Sequence, residues 1–244
     1  MNYLAHALLA GPLATDRVGG VAGDFVKGLL QPCPAWLDPA LAEGVRLHRR
    51  IDSFADTHPA FRRSRARVSD ARKRFGGVLV DMFYDHLLAV HWQRYSPEPL
   101  ADFTAETYRL IATRLDALPA PFAPVFARMA THDWLGSYRD PANVALALDR
   151  MAHHRVRQPN PLAGAGEELL TAYPGFEADF LDFFPDALGF AEAERGARSR
   201  RRDGLWVGME GWEQSSITER PTADRTSPVA DRSCLPNGRN MPPS

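Results

Sequence analysis

Cysteine is nearly missing from this 244-residue chain: only Cys33 and Cys234 occur, far apart and without a CxxC spacing. That excludes a disulfide-stapled scaffold and a thiolate zinc site, and it suits a reducing compartment. Net charge is missing too. Twenty-nine Lys and Arg offset 30 Asp and Glu, for a formal charge of −1, so no global field recruits nucleic acid or an anionic membrane, and any electrostatic preference has to be local. No apolar run approaches the roughly 20 residues that cross a bilayer. The opening MNYLAHALLAGPLA has no basic leader, carries His6 in its apolar part and is cut short at Gly11-Pro12, which argues against a signal peptide. These absences predict a soluble, cytoplasmic protein.

Alternating strand patterns are scarce up to about residue 195, where apolar residues instead recur at helical spacing and Pro and Gly fall between the periodic segments. The periodicity predicts helices over about 2–10, 17–30, 38–56, 59–74, 76–94, 99–117, 121–134, 140–152 and 166–193, the last interrupted at AYPGF around Pro174. With 45% apolar residues, this is enough to bury one core. The expectation is an all-α, single-domain helical bundle over 1–195. From Gly196 the chain turns rich in Arg, Ser, Thr, Pro and Gly and loses its apolar period. Residues 196–244 are therefore expected to be a disordered or loosely attached tail, unable to offset the entropy of ordering.

Three stretches could carry chemistry. In RLHRRIDSFAD, residues 46–56, His48 and Asp52 are spaced i, i+4 and share one helix face with Arg49 beside them. A His and a carboxylate one turn apart can ligate one metal ion, and an adjacent arginine can hold a phosphate. The same pattern also describes surface ion pairs. In VDMFYDHLLAVHW, residues 80–92, Asp81 and Asp85 lie about 40° apart on a stripe with Leu88 and Trp92, while His86 lies about 140° from Asp81. Acids on a half-buried stripe need a cation or a hydrogen-bond network. The alternative is a helix cap at Asp81 and a solvated Asp85. In GGVAGDFVKG, residues 19–28, glycines permit close packing, and Asp24 stands among small and apolar neighbours. His6 joins these from the first helix. All fall within the first 90 residues, on helices short enough to pack as one bundle, and imidazole plus carboxylate suits Mn²⁺, Fe²⁺ or Zn²⁺. No Glu-x-x-His occurs in residues 1–195, which sets aside a di-iron bundle. For His132, His153 and His154 the lining of a substrate cleft and a merely partly exposed histidine are both open readings, the second the more ordinary.

FRRSRARVSDARKRF, residues 61–75, concentrates seven cations. Such a run suits a nucleic-acid surface, although no aromatic residue interleaves with the cations as a stacking platform would require. An acidic protein partner and a merely solvated face both suit the pattern.

Taken together, MNYLAHALLA, GDFVKG, GVRLHRRID and VDMFYDHLLAVHW, in this order and spacing, resemble the acyl carrier protein phosphodiesterase family over residues 1 to about 195. The resemblance implies a cytoplasmic, all-helical, Mn²⁺-dependent hydrolase that removes 4′-phosphopantetheine from holo acyl carrier protein, distantly related to HD-type phosphohydrolases. It matches Asp24 to the family's key aspartate. Gly23 precedes it, so there is no His-Asp doublet here and the ordinary HD ligand scheme does not transfer directly. The expected metal ligands are drawn from His6, Asp24, His48, Asp52, Asp85 and His86. Asp24 and Asp81 are the catalytic candidates for orienting water, and Arg49 the phosphate candidate. Arg62, Arg63 and Arg65 would meet the carrier's acidic surface. A nucleotide or other small phosphodiester as substrate, and a non-catalytic module binding acidic partners, are the competing readings.

Overall fold

The computed structural model describes residues 1–154 and 160–213, with side chains through residue 153 and over 160–200. Among these residues the regular structure is helical, without strands. Met1–Arg200 form one compact unit and Arg201–Ser244 a second. In the second, only helical backbone to Glu213 is described; the rest of the expected tail, 214–244, lies outside the described residues.

Helix α1 spans Tyr3–Leu9 and α2 Ala14–Ala22; α2 runs into a 3-10 turn at Gly23–Phe25. The helix expected over 17–30 thus stops early. Glycines are poor helix formers, and the carbonyls of Val26, Gly28 and Leu30 are taken by arginine side chains of the next helix, which holds 26–38 as a loop. That next helix, α3, runs Pro39–Thr57; the Asp38 side chain caps it by accepting from the Ala40 N–H at 2.7 Å. His58 caps α4, Pro59–Arg67, in the same way through Ala60. The predicted 59–74 helix breaks at Val68, whose backbone is extended, and resumes as a 3-10 segment, Asp70–Phe75.

Helix α5, Gly76–Val90, runs through the centre of the unit. Leu79, Val80 and the whole run from Met82 to Ala89 are buried. Around it come α6, Leu100–Ala112; α7, Ala123–Thr131; α8, Trp134–Ser137; α9, Pro141–His154; α10, Gly166–Thr171; and α11, Tyr173–Glu213. The interruption expected around Pro174 falls at Ala172, between α10 and α11. Phe83, Tyr84, Phe176, Phe180, Phe183 and Phe184 are all fully buried, each contributing roughly 2 kcal/mol of apolar burial.

Helices α2 and α3 touch backbone to backbone. A β-carbon at Gly19 would stand 2.5 Å from the Leu41 carbonyl oxygen, and one at Gly44 2.7 Å from that of Asp16. This contact brings the turn after α2 beside α3, and so sets the spacing of the candidate site.

The cationic stretch of 61–75 is largely consumed inside the unit. Asp179 of α11, only 2% exposed, accepts from Arg63 Nε and Arg67 Nε at 2.7 Å each and from Ser64 Oγ at 3.2 Å. Arg63 also reaches Asp182, Arg65 reaches Asp56, Arg72 reaches Glu168 and Lys73 reaches Asp70. Burial pushes the Asp179 carboxyl up, but the two guanidiniums and the Ser64 hydroxyl outweigh it and hold the group below the usual carboxylate range. Asp179→Ala is expected to cost about 1–3 kcal/mol in urea unfolding, the half-exposed arginines keeping the loss below that of a fully buried pair. Because the folded-state pKa is depressed, this stabilisation is complete above the unfolded pKa of about 4 and fades as pH falls through the folded value. The acid-induced loss should accordingly be shallower in the alanine variant.

Past residue 195, α11 continues without a break. Arg198 pairs with Asp16, which is 1% exposed, and Arg195 donates to the Leu9 carbonyl. The last turns before Arg200 are therefore fastened to α1 and α2.

Candidate metal centre

The site is assembled by α1, the turn after α2, α3 and α5. Asp85 of α5, fully buried, accepts from the backbone N–H groups of Leu4 and Ala5 at 2.8 and 2.9 Å. It satisfies the open first turn of α1 and thereby sets the position of His6. His48 of α3 lies 2.8 Å, through Nδ1, from the Gly20 carbonyl oxygen; a ring nitrogen at that distance from an acceptor carries the proton and donates it. The other nitrogen, Nε2, is thereby turned toward the site.

There His6 Nε2 is 3.1 Å from Asp52 Oδ1, and His48 Nε2 is 3.2 Å from Asp52 Oδ2 and 3.5 Å from Asp24 Oδ1. The two imidazoles stack at 3.8 Å, 24° from parallel. His6, His48 and Asp52 each offer a ligand atom within 4.8 Å of the other two. Both histidines are buried, whereas Asp24 is exposed at the mouth. The Met1 ammonium lies 2.9 Å from Asp52 Oδ1 and 2.9 Å from Asp81 Oδ1. Only the Asp52 contact has hydrogen-bond geometry; Asp81 Oδ1 and His6 Nδ1 are buried without a hydrogen-bond partner.

Burial would lower the His48 pKa, but the Asp24 and Asp52 carboxylates raise it to about 9. His6 goes the other way, to about 3, through burial and the neighbouring His48 charge. Partial burial of Asp52 opposes its ionisation, yet both histidines and the ammonium hold it well below the usual carboxylate range. Hydrogen bonding to His48 lowers Asp24, while burial raises Asp81. For Met1, burial is outweighed by Asp81 and Asp52, so its amine is raised to about 11.

This donor set fits a divalent cation. Two imidazoles and a carboxylate converge without thiolate competition. Asp81 Oδ1 beside them is buried without a hydrogen-bond partner, and the carboxylates already gather the cationic Met1 amine. Since His48 must lose its site-facing proton to bind a metal, binding is expected to release a proton below pH 9. The metal Kd should then fall by up to about tenfold per unit between pH 7 and 9. Isothermal titration calorimetry in buffers of different ionisation enthalpy measures both effects.

Not every predicted residue arrives here. Asp85 engages the α1 amides with both oxygens and so holds the helix that carries His6, apart from the His6, His48 and Asp52 cluster. His86 faces the other side of α5, with Nδ1 2.8 Å from the Tyr138 carbonyl oxygen and Nε2 3.1 Å from the Tyr173 hydroxyl; a fully buried helix carries functional and structural polar groups with the same pattern. Arg49, the phosphate candidate, donates to the carbonyls of Val26 and Gly28 at 2.7 and 2.8 Å, pinning the loop behind Asp24. Arg50 is on the outer surface, paired with Glu194. Arg62 donates to the Asp56 carbonyl, while Arg63 and Arg65 engage Asp179, Asp182 and Asp56. His132 and His153 are exposed, and the His154 side chain lies outside those described.

Two participants carry no sequence signature, the Gly20 carbonyl and the Met1 amine. Gly23 does carry one. A β-carbon there would stand 2.4 Å from His48 Cγ. A histidine in that place, as in a His-Asp doublet, would collide with the ring that His48 already supplies.

An all-helical unit in which His and Asp side chains from α1 and α3 converge, with an exposed acid beside them, presents the donor chemistry that metal-dependent hydrolases use. The profile of the family described as acyl carrier protein phosphodiesterase matches residues 1–187. Acyl carrier protein phosphodiesterases of similar sequence occur in Serratia proteamaculans (strain 568), 32% identical over 189 residues covering 77% of this chain and 96% of the relative. That of Pectobacterium atrosepticum is 31% identical over 198 residues, covering 80% of this chain and all of the relative. That of Salmonella agona is 32% identical over 198 residues, covering 81% and all of the relative. The chain belongs to the acyl carrier protein phosphodiesterase family. No solved structure matches it.

Proposed function

We propose that this protein is a Mn²⁺-dependent phosphodiesterase that releases 4′-phosphopantetheine from holo acyl carrier protein. The observation carrying this reading is the convergence of His6, His48 and Asp52 on one point, within the region that matches the family. These three residues would hold the ion, with Asp81 beside them. A divalent ion bound there supplies Lewis acidity toward a phosphodiester oxygen and lowers the pKa of a bound water.

The chain's own residues supply the rest. Asp24 is held ionised by His48 and is exposed at the mouth, so it can accept a proton from an attacking water. The Gly20 carbonyl keeps His48 in one tautomer. Hydrolysis adds water across the phosphorus–oxygen bond to the carrier serine: the hydroxyl goes to phosphorus and the proton to the serine oxygen, giving 4′-phosphopantetheine and apo carrier.

Among the described residues no helix is long and apolar enough to cross a membrane, and a cytoplasmic location suits a carrier-protein substrate. Incubation with Mn²⁺ and holo acyl carrier protein is expected to yield the apo carrier, read by intact-protein mass spectrometry and lost on adding a chelator. Turnover of a nucleotide diester without any apo carrier would overturn the assignment in favour of a small-molecule phosphohydrolase.

A further inference from the structure

On the phosphodiesterase reading, the scissile phosphate is joined to its carrier by nothing longer than a serine side chain. The body of the carrier must therefore press against whatever surrounds the mouth of the site. Residues 61–75 were the obvious cationic surface for it, but Arg63, Arg65, Arg67, Arg72 and Lys73 are already paired with carboxylates of this chain.

The loop that leaves the Asp24 turn has a different character. Val26, Leu30 and Leu37 are buried, at 2%, 6% and 3% exposure, and anchor it. Arg49 and Arg46 of α3 hold its backbone through the carbonyls of Val26, Gly28 and Leu30, at 2.7 to 2.8 Å. Between these anchors Leu29 and Trp36 project into solvent, 82% and 54% exposed. Leaving a leucine and a tryptophan this far out, on a backbone held by three arginine hydrogen bonds, is the pattern of a preformed contact surface. Its charge is one-sided. No acid occurs between Asp24 and Asp38, and Lys27 is exposed without an ion pair among the described residues.

We propose that the 26–38 loop, through Lys27, Leu29 and Trp36, is the docking surface for the carrier protein, which meets it with an apolar patch flanked by carboxylates. Leu29 and Trp36 fill the apolar patch, and Lys27 faces the carboxylates and sets the register. Arg49 acts as a positioning residue for this surface.

The test is the affinity of the full-length, Mn²⁺-loaded protein for apo carrier, which presents the carrier surface and cannot be turned over. Leu29→Ala and Trp36→Ala are each expected to weaken Kd by about tenfold or more. Lys27→Glu should weaken it several-fold and flatten its salt dependence. Leu170→Ala, which truncates a 61% exposed leucine of α10, should leave Kd within about twofold. Unchanged melting curves show that the variants fold.

Kd values for all three loop variants equal to that of the native protein would overturn the docking surface, while hydrolysis of holo carrier by the native protein would keep the phosphodiesterase reading. Conversely, loop-dependent binding without release of apo carrier from holo carrier would overturn the catalytic reading and leave the docking surface standing. Absence of any binding by the native protein overturns the docking surface as well.

Discussion

Replacing His48 by alanine is expected to abolish metal binding and lower the yield of apo carrier by on the order of 10³-fold or more. The size of the effect follows from how much converges on this ring. Its Nε2 faces both Asp52 and Asp24, its Nδ1 is tied to the Gly20 carbonyl, and its face stacks on His6 at 3.8 Å. Alanine removes one of the three converging donor atoms and leaves the Gly20 carbonyl without that donor. It also takes away the flat surface that keeps His6 in register. Metal content by plasma mass spectrometry and turnover of holo carrier measure the two losses. Full metal content with full turnover would show the cluster to be structural.

A second large effect is expected from the smallest possible change. In Gly23→Ala the added methyl would lie 2.4 Å from His48 Cγ, 2.6 Å from Nδ1 and 2.7 Å from Cδ2, well inside any tolerable contact, so the ring has to move. It cannot move freely, because His6 lies against one face and the Gly20 carbonyl holds its edge. Any accommodation therefore swings Nε2 off Asp52. A metal-affinity loss of about 10- to 100-fold is expected, the range found when the groups that orient a ligand are disturbed, with about 1–3 kcal/mol lost from overpacking. Gly77→Ala is the matched comparison: a β-carbon there meets nothing within 4 Å, and metal affinity should stay at the native value. Equal affinities in the two variants would refute the steric account.

The helices are legible because their apolar residues repeat at the period of a helix face, and α3 even begins at a readable cap, Asp38-Pro39. At the end of the second helix a local signal met a tertiary one. Apolar residues such as Val26 and Leu30 extend the predicted helix to 30, but they are buried on a loop that Arg46 and Arg49 hold in place. Within the site, the i, i+4 spacing of His48 and Asp52 did place both on one face, and His6 and Asp24 joined them. Asp85 and His86 looked equally suitable, since burial demands partners for any polar group. The periodicity cannot say whether those partners are a metal, two backbone amides or a tyrosine.

By itself, then, the sequence determined the helical class and the set of imidazoles and carboxylates near its start, because helix formation and amphipathic burial depend on residues a few positions apart. Its four linked motifs also pointed to the family. Only the tertiary structure decided which of those groups meet. His6 and His48 are 42 positions apart in the chain yet stack at 3.8 Å, because glycines let α2 and α3 touch and a buried aspartate holds α1 over them. The arginines were decided in the same way: a guanidinium binds the nearest well-placed acceptor, and where the carbonyls and carboxylates lie is a property of the packed chain.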